Sequence, residues 1–360
     1  MAHVTLKGIS KKFRSHTALS GLELDIASGE FFVLLGPTGA GKTTTLRLIA
    51  GLDHPDAGSI AIDEQNVMGW SAAERDVALV FQYYSLYPHY TVRQNLEFPL
   101  KSKVRRMSQA QIDERVAKAA KTLRIGQLLE RKTDRLSGGE MQRVSIGRAI
   151  VREPKVFLMD EPLSNLDAKL REILRAELKD LQMKLGATFL YVTHDQVEAM
   201  SMGDKIGVLN QGRLIQVGTP QQIYNRPRDV FVATFVGSPA MNLLPATVSN
   251  GRAVVSPGEL EVPINHAGNG QAGKLSGQVT LGIRSEDVTV GMNEAVEARV
   301  HGVENQGVEK IVTLRAGGCL IKGTVPARME LRIDSAIRFS FKQEKMHFFA
   351  TESGNNLYYG

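Results

Sequence analysis

Residues 36–43 read Gly-Pro-Thr-Gly-Ala-Gly-Lys-Thr, a glycine, four residues, then Gly-Lys-Thr. That spacing suits a phosphate-binding loop. Glycines let the chain curl until successive backbone N–H groups face one set of oxygens, and a helix opening at Lys42 adds the positive end of its dipole. Lys42 has the length to reach β- and γ-phosphates, and the Thr43 hydroxyl can ligate Mg²⁺. Gly36, Pro37, Thr38, Gly39, Ala40, Gly41 and Thr44 complete the expected nucleotide-binding set. A second pattern is Val156-Phe157-Leu158-Met159-Asp160-Glu161, an apolar strand ending in two acids. Asp160 suits the outer shell of Mg²⁺, and Glu161 could orient and deprotonate an attacking water. A third is Leu136-Ser137-Gly138-Gly139-Glu140, followed by Met141-Gln142-Arg143 and an amphipathic helix. A serine and two glycines at a helix start make another anion site. An ordinary serine N-cap would explain Ser137 but not the paired glycines. One nucleotide cannot easily use both anion sites of one chain. The sequence therefore suggests that Ser137-Gly138-Gly139 of one chain closes over the nucleotide held by another.

These residues need a scaffold, and the pattern around them supplies one. Phe31–Leu35, Val77–Phe81, Val156–Met159 and Thr188–Val192 are short apolar runs of the kind buried on both faces of a parallel sheet. A helix is expected over Lys42–Ala50, stopped by Gly51. Ser108 and Gln111 form a capping box for a helix with Ile112, Val116, Ala119 and Leu123 on one face. Ala168–Leu185 carries a leucine stripe at 170, 174, 178, 181 and 185 and ends at Gly186. Asn210-Gln211-Gly212 reads as a hairpin turn. After Gly237 the helical periodicity stops. Gln278–Ile283, Lys310–Leu314 and Arg338–Phe341 have strand character, so the remainder is expected to be all-β, in the manner of a small barrel. The joint is expected at Gly237-Ser238-Pro239.

A length of 360 residues suits two domains, and 42% apolar with 23% charged residues is a globular composition. A single cysteine, Cys319, excludes an internal disulfide. The first residues have no apolar core, so no secretory signal is expected, and no run approaches the roughly 18 apolar residues of a membrane helix. The net charge of +6 fits either a solvated basic surface or affinity for an anionic partner.

Taken together and in order, these motifs resemble the ATPase subunits of ABC transporters. In that resemblance Leu136–Glu140 is the signature motif and Asp160-Glu161 the Walker B end. Gln82 matches the Q-loop glutamine, which reaches Mg²⁺ and the membrane partner. Ser164-Asn165-Leu166-Asp167 matches the D-loop, which places Asp167 at a dimer interface. His194, in Val192-Thr193-His194-Asp195, matches the switch histidine that touches the γ-phosphate, and Phe13 the aromatic that stacks on adenine. The implied catalytic residues are Glu161, His194 and Lys42; Ser137, Gly138, Gly139 and Glu140 would bind ATP in trans; Thr43, Gln82 and Asp160 would hold the metal. The chain departs from the family pattern at Glu140, where glutamine is usual, at Thr38 and Ala40, where serine and cysteine are, and at Phe13, where tyrosine or tryptophan is.

The segments 81–89, 237–242 and 282–287 resemble the carbohydrate-importer branch, with Ser285 where proline is more usual. The resemblance implies an α/β, P-loop ABC-type ATPase domain over 1–236, with a helical subdomain at about 88–155. An all-β, OB-like regulatory domain would follow over 237–360. It further implies ATP and Mg²⁺, a homodimer, two transmembrane permease subunits and an extracytoplasmic solute-binding protein, but no nucleic acid. The protein would be peripheral, on the cytoplasmic face of the inner membrane. Tyr83, Tyr84 and Tyr87 would either line a groove for a short permease helix or pack internally.

Overall fold

The computed structural model describes residues 2–102, 107–257, 260–264 and 275–359. It divides into two compact units, Met1–Pro220 and Gln221–Gly360. No helix among the described residues is long and apolar enough to cross a membrane.

In the first unit the elements run β1 (Val4–Phe13), β2 (His16–Ile26), β3 (Phe31–Leu35), α1 (Lys42–Ala50), β4 (Ala57–Ile62), β5 (Gln65–Asn66) and β6 (Val77–Val80). Then come α2 (Val92–Glu97), α3 (Gln109–Thr122), α4 (Gly138–Ile150), β7 (Val156–Asp160), α5 (Ala168–Leu185), β8 (Thr188–Thr193), α6 (Gln196–Met202), β9 (Lys205–Asn210) and β10 (Arg213–Gly218). One sheet has the order β10-β9-β3-β8-β7-β6. Its five strands from β9 to β6 are parallel, and β10 returns antiparallel to β9 through the hairpin at 211–212. β3 and β8 are buried at every residue, as their unbroken apolar runs require.

A second sheet, β2-β1-β4-β5, is antiparallel and stands apart from the parallel pattern. Leu6, Ile9, Leu22, Leu24 and Ile60 from it share one core with Leu46 and Ile49 of α1 and Leu158 of β7. The helices α2, α3 and α4 lie between β6 and β7 in the chain and pack on one another. Capping boxes open α2 at Thr91, α3 at Ser108 and α4 at Ser137. Of the leucine stripe on α5, Leu174, Leu178 and Leu181 are buried, while Leu170 and Leu185 are only partly covered.

α7 (Pro220–Asn225) spans the division, and α8 (Val230–Phe235) follows it. The strands of the second unit are β11 (Asn242–Ser249), β12 (Arg252–Val255), β13 (Leu260–Pro263), β14 (Gly277–Ile283) and β15 (Val288–Gly291). They continue as β16 (Val296–Asn305), β17 (Glu309–Ala316), β18 (Cys319–Pro326), β19 (Ala336–Phe341) and β20 (His347–Ala350). They form two five-stranded antiparallel sheets, β13-β12-β11-β14-β20 and β15-β19-β16-β17-β18, whose inward faces share one apolar core. Residues 221–236 read as helical in sequence, yet they pack with this unit. Ala233 of α8 shares a cluster with Met241 and Phe349. Arg284 is buried, lies 3.6 Å over the Tyr224 ring, and donates to Tyr224 O and Val236 O. The joint at Gly237-Ser238-Pro239 therefore lies inside the second unit. Asn242 donates to Ile283 O and Lys322 O, so the 237–242 and 282–287 segments meet.

Candidate active site

β3 lies between β8 and β9, and its carboxyl end delivers the chain into the loop at Gly36. The loop ends at Gly41, the N-cap of α1, with φ 105°. A methyl group there would lie 2.6 Å from Ala18 O and 2.8 Å from Leu19 Cδ2, so both conformation and space demand glycine. The amides of the first turn of α1 have no carbonyl a turn earlier and face the loop. Thr38 and Gly39 are exposed at the tip, Pro37 and Thr44 are half-buried, and Ala40 is buried. Lys42 is 5% exposed. Its Nζ donates to Gly36 O at 2.9 Å and Pro37 O at 3.0 Å, and lies 3.4 Å from Glu161 Oε1.

β7 pairs with β6 and β8 and ends at the two acids beside this loop. The Thr43 hydroxyl donates to Asp160 Oδ1 at 3.0 Å. Burial raises the Asp160 pKa from its ordinary value; the Thr43 hydroxyl opposes that shift, Glu161 adds to it, and Lys42 and Arg47 oppose it. Glu161 has φ 43°, a left-handed conformation costing about 1–2 kcal/mol for a residue with a side chain. Its amide donates to Val192 O at 3.0 Å. The result is a carboxylate held between two partners: Lys42 on Oε1 and His194 Nδ1, 2.8 Å away, on Oε2. His194 follows β8, half-exposed. The turn behind it is fixed by Asp195, which caps α6, and by Glu198, which accepts from Tyr191 and Thr193.

Gln82 Nε2 donates to Ser164 Oγ at 3.3 Å, Asn165 Nδ2 donates to Gln82 O at 2.9 Å, and the Ser164 hydroxyl donates to Glu161 O at 2.9 Å. Gln82 is thus tied to the carboxylate strand through the segment that follows it. Asp167 is exposed and caps α5 by accepting from Leu170 N. Phe13, at the end of β1, is 44% exposed, with Lys11 Nζ 5.3 Å from its ring centroid, so it is no core residue.

Lys42, Thr43, Asp160, Glu161 and His194 therefore come together in one chain. Among the described residues no hydrogen bond or ion pair joins Ser137–Glu140 to them. Ser137 is the N-cap of α4 and shares a capping box with Glu140. The paired glycines have a packing reason that sequence reasoning missed. A methyl on Gly139 would lie 2.7 Å from Leu170 Cδ2, and one on Gly138 would lie 3.3 Å from the Tyr84 hydroxyl. The tyrosines divide: Tyr83 is 74% exposed, Tyr84 packs near Gly138, and Tyr87 joins Tyr90 and Phe98 at ring distances of 5.4 and 4.5 Å. Tyr90 and Phe98, both over a third exposed, extend that surface beyond what the sequence indicated.

Comparison with known proteins places this site in a class. The family model described as ABC transporter matches residues 19–164, and models described as MalK OB fold domain and TOBE domain match 237–288 and 281–349. The chain belongs to the ATP-binding subunits of ABC transporters: it is an ABC-type ATPase cassette followed by an all-β OB/TOBE unit. It is 46% identical to the trehalose/maltose import ATP-binding protein MalK of Thermococcus litoralis, over 99% of this chain and 100% of that protein. It is 45% identical to the sn-glycerol-3-phosphate import ATP-binding protein UgpC of a Ruegeria species, over 99% of each. It is also 45% identical to the xylose/arabinose import ATP-binding protein XacK of Haloferax volcanii, over 99% of this chain and 96% of that one. Among solved structures, a dimeric ATP-binding cassette in a post-hydrolysis state bound to ADP and Pi superposes with a TM-score of 0.54. It is 33% identical and covers 60% of this chain and 98% of that one.

Proposed function

We propose that two copies of this chain sandwich two ATP molecules and use their hydrolysis to drive import of a sugar or related solute such as a glycerol phosphate. The observation that carries the reading is the convergence of Lys42, Thr43, Asp160, Glu161 and His194 at the carboxyl ends of β3, β7 and β8. The carbohydrate class follows from the named cargo of relatives matched over nearly the whole chain.

The phosphates enter where Lys42 now meets Gly36 O and Pro37 O, and the lysine turns from its own carbonyls and Glu161 to the incoming charge. That frees the Glu161 carboxylate to take a proton from water, while Nδ1 of His194 holds its other oxygen. Phe13 offers the adenine an exposed aromatic face, and Ser137-Gly138-Gly139 of the second copy closes the pocket. Thr43 and Asp160 would offer Mg²⁺ two adjacent oxygens, and Gln82 would turn its amide oxygen from the Ser164 side toward it; when bound the ion would neutralise phosphate charge. Two protein oxygens are too few to hold the ion alone, so it arrives with the nucleotide. Asp167 lies at the dimer interface in this reading.

Two permease subunits would dock on the exposed aromatic surface around Tyr87, Tyr90 and Phe98, and an extracytoplasmic binding protein would deliver cargo. The chain then sits peripherally on the cytoplasmic face of the inner membrane. On this reading residues 1–236 make up the ATPase domain, with a helical subdomain at about 88–155, and 237–360 the regulatory domain, although the helices within 221–236 pack with the regulatory side. The test is reconstitution in liposomes with the permease subunits and binding protein of the same system. Hydrolysis should rise when the binding protein is loaded with a sugar or glycerol phosphate. Stimulation only by amino acids, peptides or metal chelates would overturn the cargo assignment.

A further inference from the structure

Glu140 occupies the donors that a phosphate would need. The Ser137 amide donates to Glu140 Oε2 at 2.8 Å and the Ser137 hydroxyl to the same oxygen at 3.0 Å. The Glu140 amide returns a bond to Ser137 Oγ at 3.4 Å. The Ser137 amide above all lowers the carboxyl pKa, so an anion sits on the positive end of α4. A glutamine here could make the same cap without the charge. Glu140 also has a second partner waiting: Arg131 Nη1 lies 3.8 Å from the other carboxylate oxygen. The stretch around Arg131 is bound to the start of α2, where Val92 N donates to Arg131 O and Arg93 N to Leu129 O.

We propose that Glu140 is a tethered competitor at the signature motif: it holds Ser137 in the open chain, yields that hydroxyl to the γ-phosphate carried by a second copy, and passes to Arg131. Its charge thereby raises the ATP concentration at which two chains close. The inference rests on the reading that Ser137 meets the nucleotide of a second chain. The reason is elementary. One hydroxyl proton cannot serve two anions, and bringing phosphate beside a carboxylate is repulsive unless a cation takes the carboxylate away.

The test uses the full chain carrying Glu161→Gln to slow hydrolysis, and measures radiolabelled ATP retained through gel filtration at graded Mg-ATP. Adding Glu140→Gln should lower the half-saturating concentration about tenfold, the size of effect expected for one charged hydrogen bond. Arg131→Ala should raise it when Glu140 is present and leave it unmoved when Glu140 is glutamine. A merely structural cap would leave Glu140→Gln at or above the parent midpoint, and that result overturns the proposal. So does an Arg131→Ala effect that persists without Glu140. Ser137→Arg separates the two readings. If it abolishes retention while Glu140→Gln leaves the midpoint unmoved, only the competitor proposal fails. If Ser137→Arg retains ATP as its parent does, the shared pocket fails and this inference with it.

Discussion

Replacing Glu161 by glutamine should have two opposite consequences. Lys42 Nζ lies 3.4 Å from Glu161 Oε1, with the lysine side chain 5% and the glutamate 16% exposed. At that distance the attraction runs from ~1 kcal/mol in water to ~5 kcal/mol at an effective dielectric of 20, and desolvation offsets much of it. Glutamine keeps the shape and can still hydrogen-bond, so the nucleotide-free chain should lose about 1–3 kcal/mol. For a unit of this size that is a fall of roughly 2–10 °C in the melting of the first unit. Bound ATP supplies Lys42 with a new anion, so saturating Mg-ATP should raise the melting temperature more in the variant than in the wild type. Turnover should fall by about 10²–10⁴ because the group that takes the proton from water is gone. Differential scanning calorimetry with and without Mg-ATP, beside a phosphate-release assay, reads all three. Turnover within tenfold of wild type would remove Glu161 from the role of base. An unchanged apo melting temperature with an unchanged ATP increment would mean the Lys42–Glu161 pair carries no energy.

The second unit offers two further tests. Burial, helped by Arg284 and Lys345, lowers the His347 pKa to about 4, so between about 6.5 and 4 the unfolded chain holds the extra proton. Stability of that unit should therefore fall as pH drops through this window, by at most about 3 kcal/mol, and His347→Gln should flatten the slope in pH-resolved denaturation. Gly237→Ala must adopt φ 118° and would place its methyl 2.4 Å from Arg284 Nη1, against the bond from Arg284 to Val236 O. A loss of about 3 kcal/mol is expected in the second unit, with ATP hydrolysis by the first retained; an unchanged melting profile would contradict the packing described.

Much of the first unit was legible because its strands are unbroken apolar runs bounded by punctuating glycines. β3 and α1 begin and end where Phe31–Leu35 and Lys42–Ala50 were read, and α5 spans Ala168–Leu185 as its caps indicate. The loop and the two acids stand out in the sequence as short contiguous motifs, whereas His194 was pointed to only by the family resemblance. What sequence could not show is contact across the chain. Nothing near Lys42 announces Glu161 as its partner, and nothing near Gly139 announces Leu170. The antiparallel sheet β2-β1-β4-β5 was missed because β1 pairs with β4 across some fifty residues and bulges break its alternation. The helices at 221–236 lie before the point where helical character stops in the sequence, yet the buried Arg284, far along the chain, binds them to the second unit. Phe98 lies beyond the tyrosine run in sequence, on the far side of α2, and meets the Tyr87 ring only in the folded chain.

The central claim is that each ATP is held by the phosphate loop of one copy and by Ser137-Gly138-Gly139 of the other. Chains carrying only Lys42→Ala and chains carrying only Ser137→Arg should each be inactive, since both pockets of either homodimer are broken. When the two are mixed and allowed to exchange, half of the pairs are mixed and each mixed pair has one intact pocket of two. Phosphate release should then return to about a quarter of the wild-type rate. A mixture as inactive as its components, with mixed pairs demonstrated by differently tagged chains, would mean that no pocket is shared.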